Sequence, residues 1–488
     1  MLFNSPTFIV FLFVVFCLYW AIGRRRPQNV LLLAASYVFY GAWSWKFLLL
    51  LMASTLVDFG VGRLVAATQD VKRRRALLIT SVAVNLGFLG FFKYYGFFVS
   101  EAVQLLNAIG FQAHVRTLEI VLPVGISFYT FQSLSYVVDV YRGKLAAERS
   151  LLDYALYVAF FPQLVAGPIE RATHLLPQFK RERMFAGTAF ESGLQLIVWG
   201  LFKKIVIADN LAPYVNAVYA DPTAYSGTTL LSATVFFAFQ IYCDFSGYSD
   251  TARGTARTLG FELIRNFDFP YFSRNPVEFW RRWHISLSQW FQDYLYFPLA
   301  MRYMRQGGWA SKYKAHIISM GLIGLWHGAN WTFLVFGLYW GVVIAGYLAI
   351  SERWAAADEG SWSNRVAGAR WLAPISVVTM FAIVCLGWIL FRATSLSQVW
   401  LILTGMLSPD GIAGVERVGV LQARYLWLLS GGLYLAEFLY RNTQQLASTL
   451  MGGEVRRLVV RHALFGAAVL SYVVAQNGLA QPFIYFQF

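Results

Sequence analysis

The sequence predicts an all-α integral membrane protein, a polytopic bundle of about 11–13 membrane helices, and three observations carry that prediction. Of its 488 residues 58% are hydrophobic, 18% aromatic and only 13% charged, a balance that does not clothe a soluble surface. Apolar runs of roughly 18 or more residues recur from one end to the other, the length a helix needs to cross a hydrocarbon core of about 30 Å. The basic residues, which give a net charge of +15, fall in short clusters between those runs. That is the positive-inside arrangement of a multi-pass protein and argues against a nucleic-acid-binding face. Cys17, Cys243 and Cys385 stand far apart in apolar runs and build neither a metal site nor a disulfide framework.

The elements follow in order. Phe8 to Ile22 is apolar and has its basic cluster, Arg24 to Arg26, after it rather than before it. A cleavable signal peptide has the reverse order, so this is an uncleaved span whose N-terminus lies outside the cytoplasm. Two apolar runs then lead to Lys72 to Arg75, joined by the aromatic stretch Tyr37 to Trp45, which suits the outer headgroup belt. Ala76 to Phe98 crosses outward and Ile120 to Val138 returns. Further spans are expected at 190–208, 229–248, 315–350 as one helix or two, 372–391, 424–440 and 458–476. Two runs break the pattern. Tyr154 to Ala166 and Ile285 to Ala300 are each bracketed by basic clusters, and the first is stopped at Gly167-Pro168. Both are expected to be re-entrant, around a cavity open to the cytoplasm, because non-helical backbone at membrane depth needs protein or water to satisfy it. Glu352 to Arg370 and Pro409 to Arg424 are the linker-like stretches, and with no internal repeat residues 1–488 read as a single membrane domain.

Chemistry is sought among ionisable groups at membrane depth, where they are expensive to keep. His114, His174, His316 and His462 lie beside loop-like or basic stretches and read as surface or headgroup residues. His327 stands 13 residues beyond Lys314, about 20 Å along a helix from the cytoplasmic charge. Its surroundings, Gly324-Leu325-Trp326-His327-Gly328-Ala329-Asn330-Trp331, combine small residues that open space with indoles that wall it. The competing reading is a packed imidazole between helices that Gly324 and Gly328 bring close. His284 follows Arg281-Arg282-Trp283 at the entry to the second re-entrant run. Six arginines, Arg253, Arg257, Arg265, Arg274, Arg281 and Arg282, offer guanidinium forks for phosphate, although a cytoplasmic loop is arginine-rich in any case. Asp244 and Asp250 are polar partners within the membrane, of the kind that usually pairs with an arginine.

These residues resemble the membrane-bound O-acyltransferase family. The likeness runs from Met1-Leu2-Phe3-Asn4-Ser5 through Leu122-Pro123-Val124-Gly125-Ile126-Ser127-Phe128, Ala166-Gly167-Pro168-Ile169-Glu170-Arg171 and Tyr242-Cys243-Asp244-Phe245-Ser246-Gly247-Tyr248. It continues in Phe279-Trp280-Arg281-Arg282-Trp283-His284 and Leu325-Trp326-His327-Gly328. Within the family the sequence looks most like the bacterial branch containing the alginate O-acetyltransferase membrane subunit, and the tail Phe483 to Phe488 is similar to the ends of that branch.

The resemblance implies a ring-like bundle around a central tunnel, in the bacterial inner membrane. His327 matches the family's mid-membrane histidine and His284 its second polar position, so the pair is expected to be catalytic. Arg281, Arg282, Trp326 and Asn330 are the donor-binding candidates. No bound cofactor and no metal is expected; acetyl-CoA is the donor substrate, drawn from the cytoplasm. Periplasmic partner proteins are expected to take the acetyl group toward hydroxyls of an exported polysaccharide, alginate-like or another exopolysaccharide. Two alternatives stand beside this reading: D-alanyl transfer to teichoic acid from a carrier protein, and a transporter or channel for an anionic solute that uses the basic cavity without chemistry. Nucleic acid is not an expected partner.

Bracketing charge makes the topology testable. Single cysteines placed at Lys144 and Arg181 are expected to react with an impermeant reagent from the same side of the membrane. Labelling from opposite sides means that Tyr154 to Ala166 crosses.

Overall fold

Inside hydrocarbon every backbone N–H and C=O must be paired, which leaves the long apolar runs little choice but helix. The computed structural model describes residues 1, 3–111, 118, 120–165, 167–307, 311–356, 372–407, 420–450 and 483–484, and no strand occurs among them. Five helices there are long and apolar enough to cross a bilayer: Trp45–Ala67, Val71–Ala108, Gly227–Thr258, Trp331–Trp354 and Ala373–Arg392. Pro6–Ala21, Leu151–Leu164 and Leu396–Leu407 are shorter apolar helices. The chain is a multi-pass, all-α membrane protein. The expected span at 458–476 lies outside the described residues, as do His114 and His462. By contact the chain divides into two compact units, Met1–Ile197 with Ser249–Arg265, and Val198–Tyr248 with Asn266–Phe488.

The first unit holds α1 (Pro6–Ala21), α2 (Arg25–Gly41), α3 (Trp45–Ala67) and α4 (Val71–Leu89), which continues through a π-turn at Gly90–Tyr94 into α5 (Tyr95–Ala108). Of the aromatic stretch Tyr37 to Trp45 only Ala42 to Ser44 forms the turn between α2 and α3; Tyr37 to Gly41 is the last part of α2 and Trp45 the first residue of α3. Helices α3 and α4 are tied at depth by the buried carboxylate of Asp58, which accepts from the Ser81 hydroxyl at 2.6 Å and from the Asn85 amide at 2.9 Å. After α6 (Ile126–Tyr141) comes the first irregular run, α7 (Leu151–Ala159) and α8 (Phe161–Leu164), followed by α9 (Ala172–Phe179). Leu151–Leu164 reaches about 20 Å even if straight, short of the hydrocarbon thickness. Its break at Phe160 is made good by side chains: the Ser36 hydroxyl accepts the Phe161 N–H at 3.0 Å, and the amides of Gln132 and Gln163 both donate to the Tyr157 carbonyl. Gly125 opens α6 at φ +78, and a Cβ there would meet the Leu164 carbonyl, so the glycine is required twice.

The second unit contains the end of α10 (Gly187–Leu201), which runs through a π-turn at Phe202–Ala208 into α11 (Asp209–Ala220). Helix α12 (Gly227–Thr258) serves both units along its length. Then follow α13 (Pro276–Arg282), α14 (Ile285–Phe291), a π-turn at Gln292–Tyr296, α15 (Phe297–Gln306), α16 (Ser311–His327), α17 (Trp331–Ala355), α18 (Ala373–Arg392), α19 (Leu396–Leu407) and α20 (Val420–Leu450). The second irregular run differs from the first. From Ile285 to Gln306 the chain is one helical rod with a π-turn just before Pro298, whose ring supplies no N–H. Its break lies instead at its start, at His284.

The 315–350 run is two helices, and the turn between them falls at Gly328 to Asn330. Their backbones are in close approach along Gly321, Gly324 and Gly337, where a Cβ on Gly337 would fall on the Met320 carbonyl and 2.9 Å from the Gly321 Cα. In lipid, where tails are as apolar as leucine, this small-residue packing is what drives association. Gly337→Ala is therefore expected to cost about 1–3 kcal/mol through overpacking. Gly346→Ala on the same helix, where a Cβ meets nothing within 4 Å, should cost nothing. Unfolding in mixed micelles measures both, and equal effects would remove the hairpin interface as the cause.

Candidate active site

His284 is placed by a short helix that stops abruptly. Asn275 caps α13 by accepting the Glu278 N–H at 2.8 Å, Pro276 sets its first turn, and the helix ends at Trp283. His284 then takes φ +42, ψ +55, a left-handed conformation that costs a non-glycine residue about 1–2 kcal/mol. Its neighbours hold it there. The Ile285 N–H donates to the Asn266 carbonyl at 2.9 Å, while the Ser286 N–H and hydroxyl donate to Asn266 Oδ1 at 3.3 and 2.6 Å. Asp268 N–H to the Arg282 carbonyl at 3.0 Å closes the same pairing on the other side. Held strain of this kind clusters at functional sites. The imidazole is fully buried.

His327 is the last residue of α16, and its side chain is 4% exposed. Its ring meets Phe391 edge-on at 5.1 Å and Phe336 at 6.0 Å. Trp326 is the residue both histidines share: its ring lies 4.8 Å from the imidazole of His327 and 6.1 Å from that of His284. Phe245 stands edge-on to His284 from the other side at 4.6 Å. Two imidazoles thus sit among aromatic rings in the second unit, joined through Trp326 and kept from bulk water.

The donor-binding candidates scatter in role. Arg282 is committed, its guanidinium 2.8 Å from the Glu278 carboxylate, whereas Arg281 on the same helix is exposed and has no ion pair among the described residues. Arg257 makes a bidentate pair with Glu262, and Arg253 pairs with Asp250 at 3.2 Å. The side chain of Asn330 is used at both ends, accepting the Thr332 N–H as the cap of α17 and donating to the Thr394 carbonyl, each at 3.0 Å. Of the remaining histidines, His316 packs at 4.3 Å on Tyr296, and His174 bonds the buried Glu170 at 2.7 Å. That bond to Glu170 holds the His174 imidazole above its ordinary range.

The largest omission of sequence reasoning is a buried ion group on the π-turn of α10–α11. Lys204 Nζ lies 2.8 Å from Asp209 and 2.6 Å from Asp244, with all three side chains buried. Asp244 was expected to pair with an arginine; it pairs with a lysine. Lys203, also buried, lies over the rings of Trp199 and Tyr242, and the Tyr242 hydroxyl donates to Glu437 at 2.6 Å. Two lysines inside the apolar run 190–208 were the available signal.

The family model for the membrane-bound O-acyltransferases matches residues 144–390. The chain is 38% identical to the probable alginate O-acetylase of Pseudomonas aeruginosa over 89% of its own length and 82% of the relative's. With the probable alginate O-acetylase of Pseudomonas putida it shares 35% identity over the whole of both chains. A peptidoglycan O-acetyltransferase of Helicobacter pylori is 33% identical over 85% of this chain and 81% of that one.

If Asn266 holds the His284 turn, its contribution is shared with Ser286. Asn266→Ala is expected to destabilise by about 1–3 kcal/mol, because it leaves the Ser286 hydroxyl buried without its acceptor. The same change in a Ser286→Ala background should cost clearly less. A double-mutant cycle read by unfolding in mixed micelles tests this, and strict additivity would deny the coupling.

Proposed function

The chain belongs to the membrane-bound O-acyltransferase family, and we propose that it takes an acetyl group from cytoplasmic acetyl-CoA and passes it across the inner membrane toward hydroxyls of an exported polysaccharide. The whole chain acts as one catalytic domain around a tunnel, with its N-terminus outside the cytoplasm and partner proteins in the periplasm completing delivery to polymer. The observation that carries this reading is the pair of buried histidines that both contact the indole of Trp326. The relatives' names favour acetyl as the group and an extracellular glycan as its destination.

The chemistry follows from the donor. A thioester is already activated, so what remains is to remove a proton from the attacking hydroxyl, and a neutral imidazole is the side chain suited to that at ordinary pH. In this mechanism His327 takes the proton as the acceptor oxygen bonds to the thioester carbonyl carbon. The C–S bond then breaks and the proton passes to the departing thiolate of coenzyme A. His284, in contact with the same indole, orients the thioester or the acceptor, and the aromatic side chains around the pair exclude the water that would hydrolyse the donor. Arg281, exposed and without an ion pair among the described residues, is the cation for the donor's phosphates. Arg282, its neighbour on α13, is held by the ion pair with Glu278. Asn330 fixes the turn that presents His327.

Labelled acetyl-CoA supplied to membranes tests the reading. His327→Asn retains hydrogen bonding but not basicity, and transfer is expected to fall about 100- to 10,000-fold. Arg281→Ala should weaken donor affinity and leave folding intact, whereas Arg282→Ala also frees Glu278 and should lower stability. Near-normal transfer by a well-expressed His327→Asn protein would leave His327 a packing residue. Transfer only from a loaded carrier protein would put D-alanylation in place of acetylation.

A further inference from the structure

The buried ion group lies apart from the two histidines, yet one of its oxygens is turned to another use. Lys204 engages Asp209 Oδ1 and Asp244 Oδ1. The second oxygen of Asp244, Oδ2, accepts the backbone N–H of Ile484 at 2.7 Å, although the two residues are 240 positions apart. Phe483 and Ile484 are themselves buried. The Phe483 ring lies 4.4 Å from Tyr248 and 5.7 Å from Phe245, and Phe245 is the ring that stands edge-on to His284 at 4.6 Å. A charge-assisted hydrogen bond to a peptide N–H, flanked by a slot between two aromatic rings, is the pattern of a site that recognises a short stretch of chain. Tyr248 and Phe245 are three residues apart on α12, so both rings present on one helix face.

We propose that the Lys204–Asp209–Asp244 group is the seat for the chain's own Phe483–Ile484 segment, and that the seated segment braces Phe245 against His284, making Asp244 and Phe483 positioning residues for acyl transfer. This builds on the assignment of His284 to the site. Lys204 fixes the Asp244 carboxylate in one orientation, so that Oδ2 points at the incoming N–H. The peptide N–H closes the ion group, and Phe483 fills the volume behind Phe245. Without the segment, a carboxylate oxygen in a buried setting loses its donor, and the ring beside His284 loses its backing.

The test uses a chain that stops at Gln481. Reactivity of His284 toward diethylpyrocarbonate, read by peptide mass spectrometry, should rise about tenfold or more, on the scale of one charge-assisted hydrogen bond lost. Acetyl transfer should fall by a similar factor, while the dissociation constant for acetyl-CoA stays within about twofold, since the donor's own contacts are untouched. A synthetic peptide of residues 479–488 should restore both protection and transfer in a saturable way, and the same peptide with Ile484→Pro, which lacks the N–H, should restore neither. Unchanged protection of His284 in the shortened chain overturns the seat. Lost protection with unaltered transfer overturns the positioning role and places the error in the assignment of His284. Should the shortened chain fail to fold, full-length Ile484→Pro against Ile484→Val makes the same comparison: loss of protection and transfer in the first alone supports the proposal, and equal behaviour of the two overturns it.

Discussion

At four places where the described chain leaves the α-helix, a side-chain amide or hydroxyl takes the place of a missing backbone partner, and two of them lie beside the candidate catalytic histidines. Hydrocarbon offers no water to an exposed N–H or C=O, so an irregular turn survives only if the protein itself completes it. Ser36 does so for the start of α8, and Gln132 with Gln163 for the carbonyl of Tyr157. Asn266 does so for residues 285 and 286, and Asn330 for the first turn of α17. The last two hold the backbone on which His284 and His327 sit. The backbone at both histidines is thus held independently of the aromatic contacts that their rings make.

The buried charges obey a related economy. Removing Lys204 and its two aspartates from water is costly, and their mutual attraction offsets that cost only with good geometry and every lone pair used. The π-turn at Phe202–Ala208 brings Lys204 to both carboxylates. Such turns are frequent at functional sites because the widened ring redirects a side chain that a regular helix would point elsewhere. The same device recurs at Gln292–Tyr296, where it accommodates the approach to Pro298.

Much of this was legible in the sequence, and what was missed has a physical reason. Apolar length and basic punctuation located the long described helices, since both are local properties of the chain, but α9, α11, α13 and α19, each of 12 residues or fewer, were not marked. Gly324, read as a residue that permits close approach, lies in that role against Gly337. His284 and His327 were singled out, but their shared contact through Trp326 was not, because a separation of 43 positions carries no signal of spatial adjacency. Arg282 and Asn330 looked like ligands for a donor; their partners, Glu278 and Thr394, show structural duties that composition cannot reveal. Lys203 and Lys204 were hidden by the opposite error, two charges absorbed into an otherwise convincing apolar run. Asn266 could not be read at all, since an asparagine after an arginine in a loop resembles any other until its three hydrogen bonds are seen.

The helix formed by α4 and α5 has a further consequence, which concerns the lipid. Its 38 residues extend for about 57 Å at helical rise, nearly twice the depth of the hydrocarbon they enter. A basic cluster, Lys72 to Arg75, stands at one end of it. A mismatch of that size is met by tilt, by bending or by a locally thicker bilayer. The π-turn at Gly90–Tyr94, near the midpoint, is where the rod bends most readily, and only 17% of its most apolar window is buried within the protein. Bilayer thickness therefore acts on this helix as a mechanical load, borne by a part of the fold that carries no catalytic group.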